Sequence, residues 1–80
     1  MGYHFTTIPK GKLGELSKIQ EEYLELIDAH GQNNKVLEIC ELCDLLGAIE
    51  AYANSFNLDL YDLKAMMEAN KRAFKDDTRH

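Results

Sequence analysis

The segment from about residue 35 to residue 55 most constrains the fold, because its apolar residues cover more than one face of a helix. They fall at helical spacing and include Val36, Ile39, Cys40, Cys43, Leu46, Ile49, Tyr52 and Phe56, with Leu37, Leu42 and Leu45 widening the stripe. A helix with so wide an apolar surface must be covered on more than one side. A chain of 80 residues has few elements with which to do this. We therefore expect a second copy to cover part of the segment.

Two further helices are predicted on either side of this segment. Apolar residues recur at steps of three and four from about residue 12 to 29 and again from about 60 to 75. No alternating pattern indicates a strand. Short connections make consecutive helices antiparallel. The predicted fold is therefore all-α, a three-helix antiparallel chain that completes a four-helix-type bundle by homo-oligomerisation.

The helix ends are predicted from residues that favour turns and caps. Gly31 is expected in the left-handed conformation that ends the first helix. Asn33 or Asn34 is expected to cap the second helix. Asp59 and Asp62, three residues apart, resemble a capping box before the third. The domain prediction is a single domain over residues 1–80, with an irregular arm at 1–11 and a polar tail at 76–80.

Charge and cysteine content narrow the classes of function. The formal net charge is -5, which argues against binding a nucleic-acid backbone. No signal peptide or membrane-spanning apolar run is recognised, so we expect a cytoplasmic protein without a membrane partner.

Cys40 and Cys43 lack the second ligand pair that a structural zinc site needs. They are predicted to be buried, reduced thiols.

Two acidic pairs carry the main chemical signal of the sequence. Glu22 and Glu25 are three residues apart on the first helix, and Glu41 and Asp44 are three apart on the second. Residues at this spacing lie side by side. Glu25 precedes the "GQNN" turn by about six residues and Glu41 follows it by about eight, so at about 1.5 Å per residue the pairs reach similar heights. All four carboxylates are therefore expected to converge between the helices.

Convergent carboxylates raise one another's pKa unless a cation compensates them. Oxygen ligands suit Mg²⁺ or Mn²⁺. A di-iron centre is disfavoured, because no histidine stands three residues after a glutamate. The alternative is that these acids are surface residues on solvated helix faces. The pattern alone leaves both interpretations open, although both pairs border the apolar stripes.

The sequence also resembles a known superfamily over residues 13 to 75. "EEYLE", with Glu21, Glu22 and Glu25, is followed by "ELCD", with Glu41 and Asp44. This order resembles the E-E-x-x-E … E-x-x-D signature of the all-α nucleoside triphosphate pyrophosphohydrolases, the MazG-like superfamily. Lys18 matches the lysine of its "K-x-x-E-E" pattern. "DLLGAIEAY" is similar to the aliphatic run after the family aspartate, and "ANKRAF" to the "N-x-R-x-aromatic" segment of the last helix.

The resemblance implies a homodimer, or a dimer of dimers, that hydrolyses a (deoxy)nucleoside triphosphate to the monophosphate and pyrophosphate. The implied Mg²⁺ ligands, with Mn²⁺ possible, are Glu22, Glu25, Glu41 and Asp44. Glu25, or else Glu22, is the expected catalytic carboxylate that acts on water. The expected substrate-binding residues are Lys18, Asn70, Lys71 and Arg72. Met66 departs from the pattern, since many members carry lysine there.

The predicted function is nucleotide-pool control or house-cleaning by such an enzyme. The alternative from a different class is a non-catalytic helical dimer that acts as a protein-interaction module. A third hypothesis is a regulator that binds a divalent cation. No residue pattern indicates which base the substrate carries. We expect deoxynucleotides to be preferred over ribonucleotides.

Overall fold

Three helices make up the computed structural model, which describes residues 4–75. They are α1 (Leu16–Gly31), α2 (Lys35–Asn54) and α3 (Leu60–Lys75). No strand occurs within the described residues. The all-α prediction and its three helices are therefore confirmed. The predicted polar tail at 76–80 lies outside the described residues.

The first helix begins four residues later than its apolar periodicity predicts. Gly14 has φ of +93°, which interrupts a helix that would otherwise include Leu13. A turn precedes α1 instead, in which the Glu15 N–H donates to the Lys12 carbonyl at 3.0 Å. Gly11 packs so closely on this start that an added Cβ would overlap the backbone of Ser17. The start of α1 is therefore set by the backbone conformation of Gly14 and not by the spacing of apolar residues.

The turn between α1 and α2 differs from the prediction in one residue. Gly31 remains in the helix, and Asn33 takes the left-handed conformation with φ of 58°. The prediction for Gly31 is thus wrong. Asparagine is among the few side chains that adopt this region readily. The Asn34 side chain accepts a hydrogen bond from the Leu37 N–H at 3.1 Å, so the predicted cap of α2 is confirmed at Asn34.

The connection to α3 follows the predicted capping box. The Asp59 N–H donates to Asp62 Oδ2 at 2.9 Å, and the Asp62 N–H donates to Asp59 Oδ1 at 2.9 Å. Each carboxylate therefore satisfies one backbone donor that the helix leaves free. Asn57, with φ of 62°, reverses the chain before this cap.

Packing within the chain is concentrated between α1 and α2, which form an antiparallel hairpin, whereas α3 makes only sparse contact with it. Between residues 4 and 72, the buried apolar residues are Ala29, Ala48 and Ala53. The radius of gyration is 14.7 Å, against about 12 Å for a compact chain of this length. A single copy is therefore an open arrangement with a very small core.

The large apolar side chains of α2 remain exposed on the side away from α1. Val36 is 75% exposed, Ile39 61%, Leu42 52% and Leu46 49%. Cys40 and Cys43 are also exposed, so the prediction that these thiols are buried is wrong for the single chain. The physical reason is that one neighbouring helix covers only one side of a helix that is apolar on two.

The left-handed Asn33 gives a direct test of the turn. Asn33→Ala should lower the free energy of unfolding by about 1 kcal/mol, because a Cβ without a compensating polar group is disfavoured at positive φ. Asn33→Gly should keep or raise it, since glycine adopts this region freely. Urea denaturation followed by circular dichroism measures both. Equal stability of the two variants would contradict the assignment.

Candidate metal centre

Four carboxylates from α1 and α2 meet at one place in the hairpin. Glu22, Glu25, Glu41 and Asp44 each offer one oxygen, and these oxygens all lie within 4.8 Å of one another. Glu22 and Glu41 are each only 5% exposed, Glu25 is half-buried and Asp44 is exposed. The acidic pairs thus lie between the helices, with one open side at Asp44. We refer to these four residues as the carboxylate cluster.

Two oxygens of the carboxylate cluster have no hydrogen-bond donor among the described residues. They are Glu22 Oε1 and Glu41 Oε1, and both are buried. A buried charged acceptor without a partner costs more than the 1–3 kcal/mol typical of a neutral one. A cation among the four oxygens would remove this cost. The donor set is all oxygen, as hard divalent cations prefer, so the residues fit such an ion.

The pKa of Glu25 reflects the repulsion within the carboxylate cluster when no cation is bound. Desolvation is the largest influence on its carboxyl, followed by the negative charge of Glu22 and a hydrogen bond with Glu41. Together they raise the pKa of Glu25 to about 7, from an ordinary value of 4.5. Near neutral pH, Glu25 is therefore the carboxyl that shares a proton within the cluster.

Lys18 lies at one edge of the carboxylate cluster. Its Nζ is 3.0 Å from Glu22 Oε2 and 3.2 Å from Glu21 Oε1. The hydrogen bond to Glu22 is the largest influence on the Lys18 ammonium, whose pKa is raised. Lys18 thus compensates part of the negative charge, and it leaves the other oxygen of Glu22 without a donor.

Glu21 is buried and ties the segment before α1 to the helix. Its Oε1 accepts hydrogen bonds from the Gly11 N–H at 2.8 Å and from Lys18. Desolvation acts to raise the pKa of Glu21, but these hydrogen bonds outweigh it and lower the pKa. Glu21 therefore positions the Gly11 backbone and the Lys18 side chain. It is not a member of the carboxylate cluster.

His4 enters the same site from the irregular arm, although no sequence pattern indicated it. Its Nε2 lies 3.1 Å from Glu41 Oε2 and 3.7 Å from Glu25 Oε1. Its Nδ1 lies 2.8 Å from Asp28 Oδ2. Desolvation lowers the pKa of His4, but the hydrogen bonds to Asp28 and Glu41 and the charges of Glu41 and Glu25 outweigh it and raise the pKa. Only the three-dimensional path of the arm reveals this residue.

Asp28 fixes the arm on the hairpin. Its carboxylate accepts hydrogen bonds from His4, from the Phe5 N–H and Thr6 Oγ1 at 3.1 Å each, and from Gln32 Nε2 at 2.8 Å. Desolvation acts to raise the pKa of Asp28, but these four donors outweigh it and lower the pKa to about 2. Asp28 thus remains ionised and holds His4 against the carboxylate cluster.

The predicted substrate-binding residues of α3 lie elsewhere in the chain. Asn70, Lys71 and Arg72 are exposed. The Lys71 ammonium lies 3.7 Å from the Glu68 carboxylate on its own helix. Because α3 makes only sparse contact with the hairpin, the single chain does not bring these residues into the carboxylate cluster.

A pocket of about 590 Å³ opens beside the carboxylate cluster. Its polar wall contains His4, Glu25, Glu41 and Asp44, and its apolar wall contains Val36 and Leu37. Small-molecule sites typically occupy about 300–1,000 Å³ and combine apolar walls with a few polar groups. The pocket therefore has the size and the mixed lining of a small-molecule site.

The raised pKa of Glu25 predicts an unusual pH dependence of stability. In the presence of a chelator, the Glu25 contribution should be fully present below pH 4.5 and lost as pH rises through about 7, because the folded state holds the proton more tightly. The raised pKa of His4 acts in the same direction above pH 6.5. We expect the free energy of unfolding to fall by up to about 3 kcal/mol over this window.

Urea denaturation at several pH values measures this change. Glu25→Gln should flatten the profile, since glutamine carries no titrating proton. Glu15→Gln is the matched control, because Glu15 is exposed and pairs only with Lys12 at 3.8 Å. A profile in Glu25→Gln as steep as in the native protein would contradict the assignment.

Comparison with known proteins does not identify the chain. No protein-family model, curated protein or solved structure matches it. No helix of the described residues is both long and apolar enough to cross a membrane. The function must therefore be inferred from the carboxylate cluster and its pocket.

Proposed function

We propose that this protein is a Mg²⁺-dependent nucleoside triphosphate pyrophosphohydrolase of the MazG-like superfamily, which converts a (deoxy)nucleoside triphosphate and water to the monophosphate and pyrophosphate. One observation carries the proposal. Glu22 and Glu41, from neighbouring helices, each bury a carboxylate oxygen for which the described residues provide no donor. Both belong to a cluster of four carboxylates beside a pocket with the size of a small-molecule site.

The cation in this proposal is held by Glu22, Glu25, Glu41 and Asp44. Mg²⁺ is preferred because it commonly shares its ligands between carboxylates and substrate phosphates, and Mn²⁺ is a suitable substitute. When bound, the ion neutralises phosphate charge and acidifies water. Nucleotide hydrolysis asks the protein mainly for such positioning and charge compensation.

The proposed role of Glu25 is to accept the proton of the attacking water. A carboxylate close to a bound water can accept its proton, and Glu25 is half-buried and lines the pocket beside the carboxylate cluster. Glu22 is the alternative, but its Oε2 is already paired with Lys18 Nζ at 3.0 Å. The Lys18 ammonium lies beside Glu22, so it could also bind a substrate phosphate held by a cation at the carboxylate cluster.

The assembly proposed is a homodimer, or a dimer of dimers, that completes a four-helix bundle. The single chain leaves Val36, Ile39 and Leu46 between 49% and 75% exposed on one face of α2. Since the buried apolar residues of the described part of the chain are three alanines, covering that face would add most to the apolar core. Asn70, Lys71 and Arg72 stay proposed substrate ligands, supplied by an α3 that packs against the hairpin in the assembled form.

The same exposed face supports the alternative function, a non-catalytic helical dimer that acts by protein interaction. That function would explain the exposed apolar surface. It would not explain why two carboxylate oxygens are buried without hydrogen-bond donors. The carboxylate cluster therefore favours the enzyme. The proposed location is the cytoplasm, where nucleoside triphosphates are abundant.

Pyrophosphate release tests the proposed reaction. Among the eight common nucleoside and deoxynucleoside triphosphates with Mg²⁺, at least one should release pyrophosphate, and we expect deoxynucleotides to be turned over faster. Glu41→Gln should lower the rate at least 100-fold, because it removes a charged ligand at the centre of the cluster. Glu15→Gln should retain the rate. Absence of release from all eight would favour the interaction module.

The molar mass in solution tests the proposed assembly. Sedimentation equilibrium should give at least twice the chain mass of 9.2 kDa. Ile39→Glu should shift the protein toward the monomer, since it places a charge on the exposed face of α2. Gln20→Glu, at an exposed position of α1, adds the same charge and should not. A native protein that is monomeric at micromolar concentration would contradict the dimer.

A further inference from the structure

His4 is the one histidine at the carboxylate cluster within the described residues. Its side chain is 15% exposed although it belongs to an arm without regular structure. The arm places the imidazole so that one ring nitrogen faces Asp28 and the other faces Glu25 and Glu41. This half-buried arm residue therefore lies among three carboxylates, with one ring nitrogen directed at two members of the carboxylate cluster.

We propose that His4 is a metal ligand, and that its Nε2 forms with Glu25 and Glu41 a mixed nitrogen and oxygen site that binds Mn²⁺ more tightly than the carboxylates alone would. This inference deepens the proposed function, on which it rests for the presence of a cation. It makes the N-terminal arm a part of the cation site.

The distances agree with ligands around one ion. Two ligand atoms about 2.1 Å from a cation lie about 3.0 Å apart when they are at right angles and about 3.4 Å apart in a tetrahedron. His4 Nε2 lies 3.1 Å from Glu41 Oε2 and 3.7 Å from Glu25 Oε1. One suitable atom from each of the three residues lies within 4.8 Å of the others. Shifts of a few tenths of an ångström are enough to form such a site.

Asp28 supplies the orientation that a histidine ligand needs. Metal-binding histidines usually donate the second ring N–H to a carboxylate or carbonyl, which fixes the tautomer and directs the other nitrogen to the ion. His4 Nδ1 is 2.8 Å from Asp28 Oδ2 in this arrangement. Asp28 is itself held by Gln32 and by the Phe5 N–H. The imidazole is thus positioned by contacts on the side away from the carboxylate cluster.

Glu41 provides an independent indication of a missing ligand. Its side chain is 6% exposed, and its Oε2 faces His4 while its Oε1 has no donor among the described residues. A hydrogen bond between Glu41 and His4 therefore satisfies only half of this carboxylate. A cation bound beside both residues would satisfy the rest.

The imidazole nitrogen affects the binding of Mn²⁺ more than the binding of Mg²⁺. Mg²⁺ requires oxygen ligands and retains much of its water, whereas imidazole suits first-row transition metals. Two carboxylates with one imidazole suit Mn²⁺, which accepts both donor types. Removal of the imidazole should therefore weaken Mn²⁺ binding and leave Mg²⁺ binding nearly unchanged.

Electron spin-echo spectroscopy of the full chain with Mn²⁺ alone tests the ligand directly. The native protein should show ¹⁴N coupling to the ion, and His4→Gln should lose it and bind Mn²⁺ at least tenfold more weakly by titration calorimetry. His30→Gln is the matched control, because His30 also lies 2.9 Å from a glutamate, Glu38, but is 74% exposed and outside the cluster. It should retain both signals.

Three results would overturn the proposal. The first is bound Mn²⁺ without ¹⁴N coupling in the native protein, and the second is no Mn²⁺ binding at all. The third is tighter Mn²⁺ binding by His4→Gln than by the native protein, which would mean that a protonated His4 competes with the ion. Pyrophosphate release by Mg²⁺-loaded native protein is measured separately. Release without ¹⁴N coupling rejects the His4 ligand alone, and ¹⁴N coupling without release rejects the enzyme alone.

Discussion

Repulsion between carboxylates buried in the α1–α2 hairpin is the interaction on which the rest of the structure depends. Because alanines are the only buried apolar residues in the described part of the chain, the acids would be expected to stay in water. Instead Glu21, Glu22 and Glu41 are buried. The groups around them are arranged to compensate that charge, with Lys18 on one side and His4 on the other. The site is thus electrostatically costly, and a bound cation would lower that cost.

The arm before α1 is organised by the same charges. Glu21 holds the Gly11 backbone and Asp28 holds the segment that starts at His4. These two acids lie on α1 on either side of the clustered glutamates. A segment without helical or strand structure is therefore fixed by hydrogen bonds to carboxylates, which explains how an irregular arm can deliver a side chain to a precise position.

Much of the hairpin could be predicted because its determinants are local. Helical spacing gave three helices, and the capping residues Asn34, Asp59 and Asp62 are recognisable by type and position. The meeting of the two acidic pairs followed from rise per residue and a short turn. Each of these inferences uses neighbours within about one or two turns of a helix.

The remaining features depend on contacts between distant parts of the chain. His4 and Asp28 are 24 positions apart, and no periodicity relates them. The left-handed residue could be Gly31 or Asn33 by composition alone, and the geometry of the turn selected Asn33. The exposure of Cys40 depends on which sides of α2 other helices cover, which an apolar stripe does not specify. Tertiary contacts decide all three.

The slender link between α2 and α3 affects how copies associate. Asn57 reverses the backbone, Asp59 begins the next helix, and α3 then makes few contacts with its own hairpin. The apolar groove that α2 and α3 share, with Leu46 and Leu63 among its walls, has a volume of about 370 Å³. An α3 from a neighbouring copy can take the place of the chain's own α3 beside α2 and form the same groove with it. Exchange of this helix by domain swapping would therefore cost little beyond a rearrangement of the hinge at Asn57.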